Sequence, residues 1–236
     1  MSSEFYILMG LAASIGFGHT IMGPDHYLPF VMMSKARNWS FTKTSIITFL
    51  CGVGHVLSSV VLGLIGIALG IAVANLEFVE SIRGELAAWF LIGFGFLYFI
   101  WGMRNAIKNK EHVHFHVHAD GTKHIHTHAH ETEHLHVHQE NKKDITPWVL
   151  FTIFVFGPCE PLIPLLMYPA AKGSVLEAIL VAVIFSVVTI STMMVIVLAG
   201  SFGLKFVVMK RLEKYGSAIA GAVICLSGLA IKFLGL

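Results

Sequence analysis

Gly16-Phe17-Gly18-His19-Thr20-Ile21-Met22-Gly23-Pro24-Asp25-His26-Tyr27-Leu28-Pro29 opens inside an apolar run long enough to cross a bilayer. It then sets two histidines, an aspartate and a Gly-Pro break where hydrocarbon is expected. An ionised carboxylate at the centre of a membrane helix costs about 2.5–3.5 kcal/mol on insertion scales. Such a group persists when it faces a polar cavity, a partner or an ion, so the stretch is a candidate functional site. Pro24 removes the hydrogen bond to the Thr20 carbonyl and disfavours helical geometry at Gly23. On an unbroken helix His19 and His26 share a face but stand ~10 Å apart along the axis, too far to share one ion. A turn at Gly23-Pro24 folds Asp25 and His26 back toward His19.

The surrounding chain is that of an integral membrane protein. Of its 236 residues 56% are hydrophobic and only 13% charged. The start Met1-Ser2-Ser3-Glu4 is acidic, and no cleavable secretory signal is expected. Cys51, Cys159 and Cys225 fall in separate apolar segments, without a C-x-x-C motif. Six apolar segments are predicted, at about 5–33, 45–74, 86–104, 147–170, 175–200 and 214–234, each near the ~20 residues a span needs. The first two are too long for straight, upright helices, so a break or strong tilt is expected.

Thirteen of the sixteen basic residues lie in the connections after segments one, three and five. By the positive-inside rule both termini face out and the loop between segments three and four is cytoplasmic. The expected location is the cytoplasmic (inner) membrane of a prokaryote.

The halves carry related motifs. Gly23-Pro24-Asp25-His26 in segment one has a counterpart 134 residues later in Gly157-Pro158-Cys159-Glu160 in segment four, and the same offset carries His55 to Thr189. Three crossings per half make the halves run in opposite directions. The predicted fold class is therefore an all-α membrane protein: six transmembrane helices as two inverted three-helix repeats, with broken first and fourth helices. The domains are 1–104 for the first repeat, 105–146 for a His-rich cytoplasmic loop and 147–236 for the second repeat. Interrupted helices at matching positions of inverted repeats point to a transporter's binding site.

The loop holds eleven of the fourteen histidines: His112, His114, His116 and His118, then His124, His126, His128 and His130, then His134, His136 and His138. Alternate residues of an extended chain share a face, and Asp120-Gly121 is a hairpin turn signal. An odd connection sets His118 opposite His124 and His116 opposite His126, and an even one puts them on opposite faces; the odd register is favoured. On composition, tracts of this kind read as metal-binding whether or not strands form.

Among candidate ligands in the spans, His55 interrupts segment two beside Gly54, Cys159 offers a soft donor, and Glu160 offers a hard donor or proton carrier. Imidazole with a carboxylate suits Ni(II), Co(II), Zn(II) or Cu(II) rather than Mg(II) or Ca(II).

The His19 to Asp25-His26 pattern, with Gly54-His55 and a following Ser58, resembles the nickel/cobalt transporter superfamily of uptake permeases and His-loop efflux proteins. Gly157-Pro158-Cys159 with its prolines is similar to the fourth-span motif of the efflux branch. It is also similar to that of the wider superfamily, which holds sulfite/taurine exporters and thiol-disulfide membrane carriers. The resemblance implies that His19, Asp25, His26 and His55 contact the ion. The expected function is transmembrane movement of a divalent cation, Ni(II) or Co(II) and then Zn(II), in the direction of efflux. The protein is expected to be no enzyme and to hold no permanent cofactor. Its expected partners are the metal ion, the lipid bilayer and a cytoplasmic metal-delivery protein, and no nucleic acid. The alternatives are a transmembrane thiol-redox carrier, which needs two cysteines that meet, and a sulfite-type anion exporter, for which Asp25 and Glu160 have the wrong sign.

Overall fold

The computed structural model describes residues 3–108, 112–117, 123–128, 145–206 and 214–234. Its elements in chain order are α1 (Ser3–Met22), a 3-10 turn (Pro24–His26), α2 (Leu28–Ala36), α3 (Phe41–Leu69), α4 (Val73–Lys108), β1 (His112–Val117), β2 (Lys123–His128), α5 (Thr146–Phe156), α6 (Leu162–Ala171), α7 (Val175–Phe206) and α8 (Gly216–Leu234). Among the described residues five helices are long and apolar enough to cross a membrane: α1, α3, α4, α7 and α8.

The remaining apolar segment, predicted as one span over 147–170, is two helices of 11 and 10 residues. Neither alone reaches the length a span requires. Gly157-Pro158 divides them: the Gly157 N–H still bonds the Ile153 carbonyl at 2.9 Å, and Pro158 has no N–H to continue the ladder. The first segment breaks in the same way. The Gly23 N–H closes α1 on the His19 carbonyl at 3.0 Å, after which Pro24 opens the 3-10 turn. Both breaks fall where the sequence motifs foretold them.

The third segment is longer than the expected 86–104: α4 begins at Val73 and carries Glu80 and Arg83 inside the helix. Helix α3 starts on Ser40, whose hydroxyl accepts the Lys43 N–H at 3.2 Å. It stops at Gly70, whose φ of 64° lets the Ile71 N–H return to the Gly66 carbonyl at 2.9 Å.

Two apolar cores hold the helices together. One gathers Phe30, Met33, Cys51, Leu150, Phe154, Met193 and Ile224. The other gathers Ala12, Val56, Cys159, Leu162, Leu166 and Phe185. His55, between Cys51 and Val56 on α3, lies where the two cores adjoin. Outside them, large apolar side chains such as Phe49, Leu57, Trp89, Leu97, Val187 and Val195 are exposed. An outer surface of this kind suits hydrocarbon rather than water. The molecule is a multi-pass membrane protein.

Strands β1 and β2 pair antiparallel with His112↔His128, His114↔His126 and His116↔His124. The odd parity is the expected one, but the partners are displaced by two residues: His116 meets His124, not His126. A shift of two preserves which positions share a face, because the strand period is two. His118, His130, His134, His136 and His138 lie outside the described residues.

Candidate metal centre

His19 sits in the last turn of α1, His26 ends the 3-10 turn, and His55 stands mid-way along α3. The break at Pro24 makes their meeting possible, because it turns the chain back after Met22. One ligand nitrogen from each ring lies within 4.8 Å of the other two. The His19 and His26 rings stand edge to face with centroids 4.7 Å apart, and His26 and His55 likewise at 4.9 Å. Gly23 allows the approach: a Cβ there would collide with His26 Nδ1.

The hydrogen bonds decide which nitrogen of each ring is free. Asp25 Oδ1 and the Gly23 carbonyl oxygen each lie 3.1 Å from His26 Nδ1. Both are acceptors, so Nδ1 carries the proton and donates to them. The Phe154 carbonyl, 3.3 Å from His55 Nδ1, fixes that ring in the same way. A neutral imidazole protonated on Nδ1 presents a bare lone pair on Nε2. The two Nε2 atoms face each other at 3.3 Å, and His19 Nε2 is buried with no hydrogen-bond partner among the described residues. With both rings in this tautomer the Nε2 lone pairs oppose each other, and a proton or a metal ion between them relieves the repulsion. Two nitrogens ~2.0–2.1 Å from one tetrahedral ion are about 3.3–3.4 Å apart, close to the separation seen here. A carboxylate or carbonyl on the far nitrogen is the usual outer support of a metal-binding histidine.

Four of the six expected ligands in the spans thus come together, in two roles. His19, His26 and His55 offer nitrogens. Asp25, with a side chain 20% exposed, bonds His26 and stands behind it rather than in the group. Cys159 and Glu160 are not part of the group. Cys159 is fully buried in the apolar core with Val56 and Leu162, and Glu160 is exposed. The physical reason is the turn after Pro158: it spends the Cys159 N–H on Glu80 Oε2, at 3.1 Å, and leaves the Glu160 side chain outside.

Sequence reasoning overlooked Glu80 and Arg83. Their side chains form an ion pair that reaches Ser58, Ser59 and the backbone of the second break. The usable signal was an acid and a base one turn apart ahead of an apolar run, which a hydropathy window assigns to a loop. Thr189, the counterpart of His55, is also buried, its hydroxyl without a partner among the described residues. It lies against α1, where a Cβ on Gly16 would come 3.1 Å from its Oγ1.

A family model described as the cytochrome c biogenesis protein transmembrane region matches residues 8–230 of the chain. The match extends through both breaks and all three site histidines. It does not extend to the nickel/cobalt assignment that the motifs resemble. No curated protein and no solved structure matches.

Proposed function

The chain belongs to the family of the cytochrome c biogenesis protein transmembrane region, and from the histidine geometry, not from the family, we propose that this membrane protein carries a divalent transition-metal cation across the bilayer, seated among His19, His26 and His55. The observation that carries this reading is the pair of Nε2 atoms facing each other at 3.3 Å, with an acceptor oxygen at each Nδ1, the arrangement of two rings that turn their lone pairs inward. Imidazole donors favour Ni(II), Co(II) and Zn(II). The protein of this reading is no enzyme and keeps no resident cofactor; the metal is cargo.

In this reading α5 and α6 together make a sixth, broken span, and the halves are inverted repeats meeting at the site. Support comes from the breaks themselves, which fall at the two matched Gly-Pro motifs. The positive-inside count puts the histidine loop in the cytoplasm of a prokaryotic cell and both termini outside. There the paired histidine positions of β1 and β2 raise the local ion concentration at the inner mouth, by multivalent capture. That arrangement favours export, with a cytoplasmic metal-delivery protein as a fitting partner.

The family favours a second reading, a transmembrane thiol-redox carrier. Such a carrier needs two thiols that meet and are reached by a partner. Here Cys51 and Cys159 are 1% and 0% exposed, unpaired, and set in different apolar cores. The discriminating experiment is uptake of Ni(II), Co(II) and Zn(II) into proteoliposomes by the wild type, His55→Ala and a Cys51→Ser/Cys159→Ser double variant. The metal reading expects loss in His55→Ala and retention in the double variant. Retained uptake in His55→Ala removes the three-histidine seat, and wild-type protein that moves no metal but carries out thiol-disulfide exchange across the membrane, lost in the double variant, replaces the metal reading with the redox reading.

A further inference from the structure

Glu80 and Arg83 stand one turn apart on α4, their side chains 0% and 16% exposed. Burying an ion pair costs desolvation that mutual attraction seldom outweighs, so stability alone is a poor reason for one. What the pair touches supplies a better one. Arg83 Nη2 donates to the Val155 carbonyl at 2.8 Å, the Gly157 carbonyl at 3.4 Å and Ser58 Oγ at 2.6 Å. Glu80 Oε2 accepts the Cys159 N–H and the Ser59 hydroxyl, each at 3.1 Å.

These backbone groups belong to the break between α5 and α6. The last carbonyls of a helix and the first N–H groups of the next lack internal partners, and the two ends carry opposite partial charge. The guanidinium meets the carbonyl end of α5, and the carboxylate meets an N–H on the way into α6. Each charge complements the end it faces. Helix α4 is also pressed against the break, for a Cβ on Gly84 would lie 2.8 Å from Pro158 Cγ.

The same few residues support the histidine site. The Phe154 carbonyl, one residue before Val155, accepts from His55 Nδ1, and a Cβ on Gly157 would come 2.9 Å from that nitrogen. We propose that Glu80 and Arg83 are positioning residues for the metal seat: by clasping both ends of the break, they keep the Phe154 carbonyl on His55 Nδ1 and turn Nε2 toward the ion. As an account of metal binding this rests on the reading given above; as an account of the His55 ring it does not.

The test uses the full chain in lipid nanodiscs with 15N-labelled histidine, the His55 signals being identified by their loss in His55→Ala. Metal-free 15N shifts report which ring nitrogen holds the proton, Co(II) titration reports affinity, and thermal unfolding reports folding. The informative variant is the double exchange Glu80→Arg/Arg83→Glu, which preserves an ion pair but faces each backbone end with the wrong charge. We expect His55 to hold its proton on Nδ1 in the wild type. The exchange should give a mixed population and roughly 10-fold weaker Co(II) binding. Arg83→Lys, which keeps the charge and loses the fork, should fall between.

A folded exchange variant with the wild-type tautomer and affinity overturns the proposal. If the exchange variant does not fold, Arg83→Lys and Glu80→Gln decide, and wild-type behaviour of both overturns it. Wild-type protein that binds no Co(II) while its His55 tautomer still follows Arg83 defeats the metal reading and leaves the positioning role standing. Co(II) binding with a tautomer indifferent to Arg83 defeats the positioning role alone.

Discussion

Gly95 on α4 and Gly221 on α8 face each other with their backbones in contact. A Cβ on Gly95 would fall 2.8 Å from the Gly221 carbonyl oxygen, and one on Gly221 would fall 2.7 Å from the Gly95 carbonyl oxygen. The approach continues along the pair, where a Cβ on Gly102 would collide with the Ala218 nitrogen. In lipid there is little hydrophobic gain from bringing helices together, so close packing through small residues carries the association.

Gly221→Leu should therefore force α4 and α8 apart, because the obstructing atoms are backbone and cannot rotate away. The expected loss is about 1–3 kcal/mol or more, read as a lower unfolding temperature in detergent. Gly93→Ala, at a position with nothing within 4 Å of a new Cβ, should leave that temperature nearly unchanged.

Asp25→Asn keeps an oxygen for His26 Nδ1 but removes its charge. Co(II) affinity should fall roughly 10-fold, as expected for loss of an outer support, while His26→Ala should abolish specific binding. Isothermal titration of the two variants measures both effects. Equal affinities in wild type and His26→Ala would falsify the three-histidine seat.

Binding should also weaken as pH falls. The sign follows from competition: a proton on Nε2 occupies the lone pair the ion needs. With more than one ring to deprotonate, the decline should be steeper than a single titration. A Co(II) titration repeated from pH 8 to pH 5 gives the slope, and a flat profile removes imidazole from the coordination.

Cys159→Ser should leave Co(II) binding within about twofold, because the thiol is packed against apolar side chains, away from the rings. Its cost should be structural and modest, of order 1 kcal/mol, seen in thermal unfolding. A large loss of affinity with an unchanged unfolding temperature returns Cys159 to the ligand set.

The parts of this site that were legible in the sequence were those written in local chemistry. Proline at positions 24 and 158 lacks a donor wherever it is placed, so the residue order alone locates both breaks. His19, Asp25 and His26 declared themselves by their cost in an apolar run. Distance in the chain concealed the rest. Nothing local says that the Phe154 carbonyl meets His55, 99 residues away. Glu80 and Arg83 lowered the hydropathy of their window and so looked like a loop, although their charges are neutralised by each other and by the break they hold. Glu160 misled for the opposite reason. Its neighbours resembled those of Asp25, but the turn after Pro158 points it outward. In the ribbon, alternation fixed the parity of pairing, while the two-residue slide is a property of the connection that alternation does not encode.

The tautomers of His26 and His55 have one more consequence. In the metal reading, a dication that enters between two rings of this tautomer displaces no hydrogen ion from either, so its positive charge is not offset at the moment of arrival. Among the described residues, the carboxylate bonded to this group is that of Asp25, set behind one ring. In that reading, and in a medium of low dielectric, the imbalance shortens the ion's residence, which suits a waystation better than a vault.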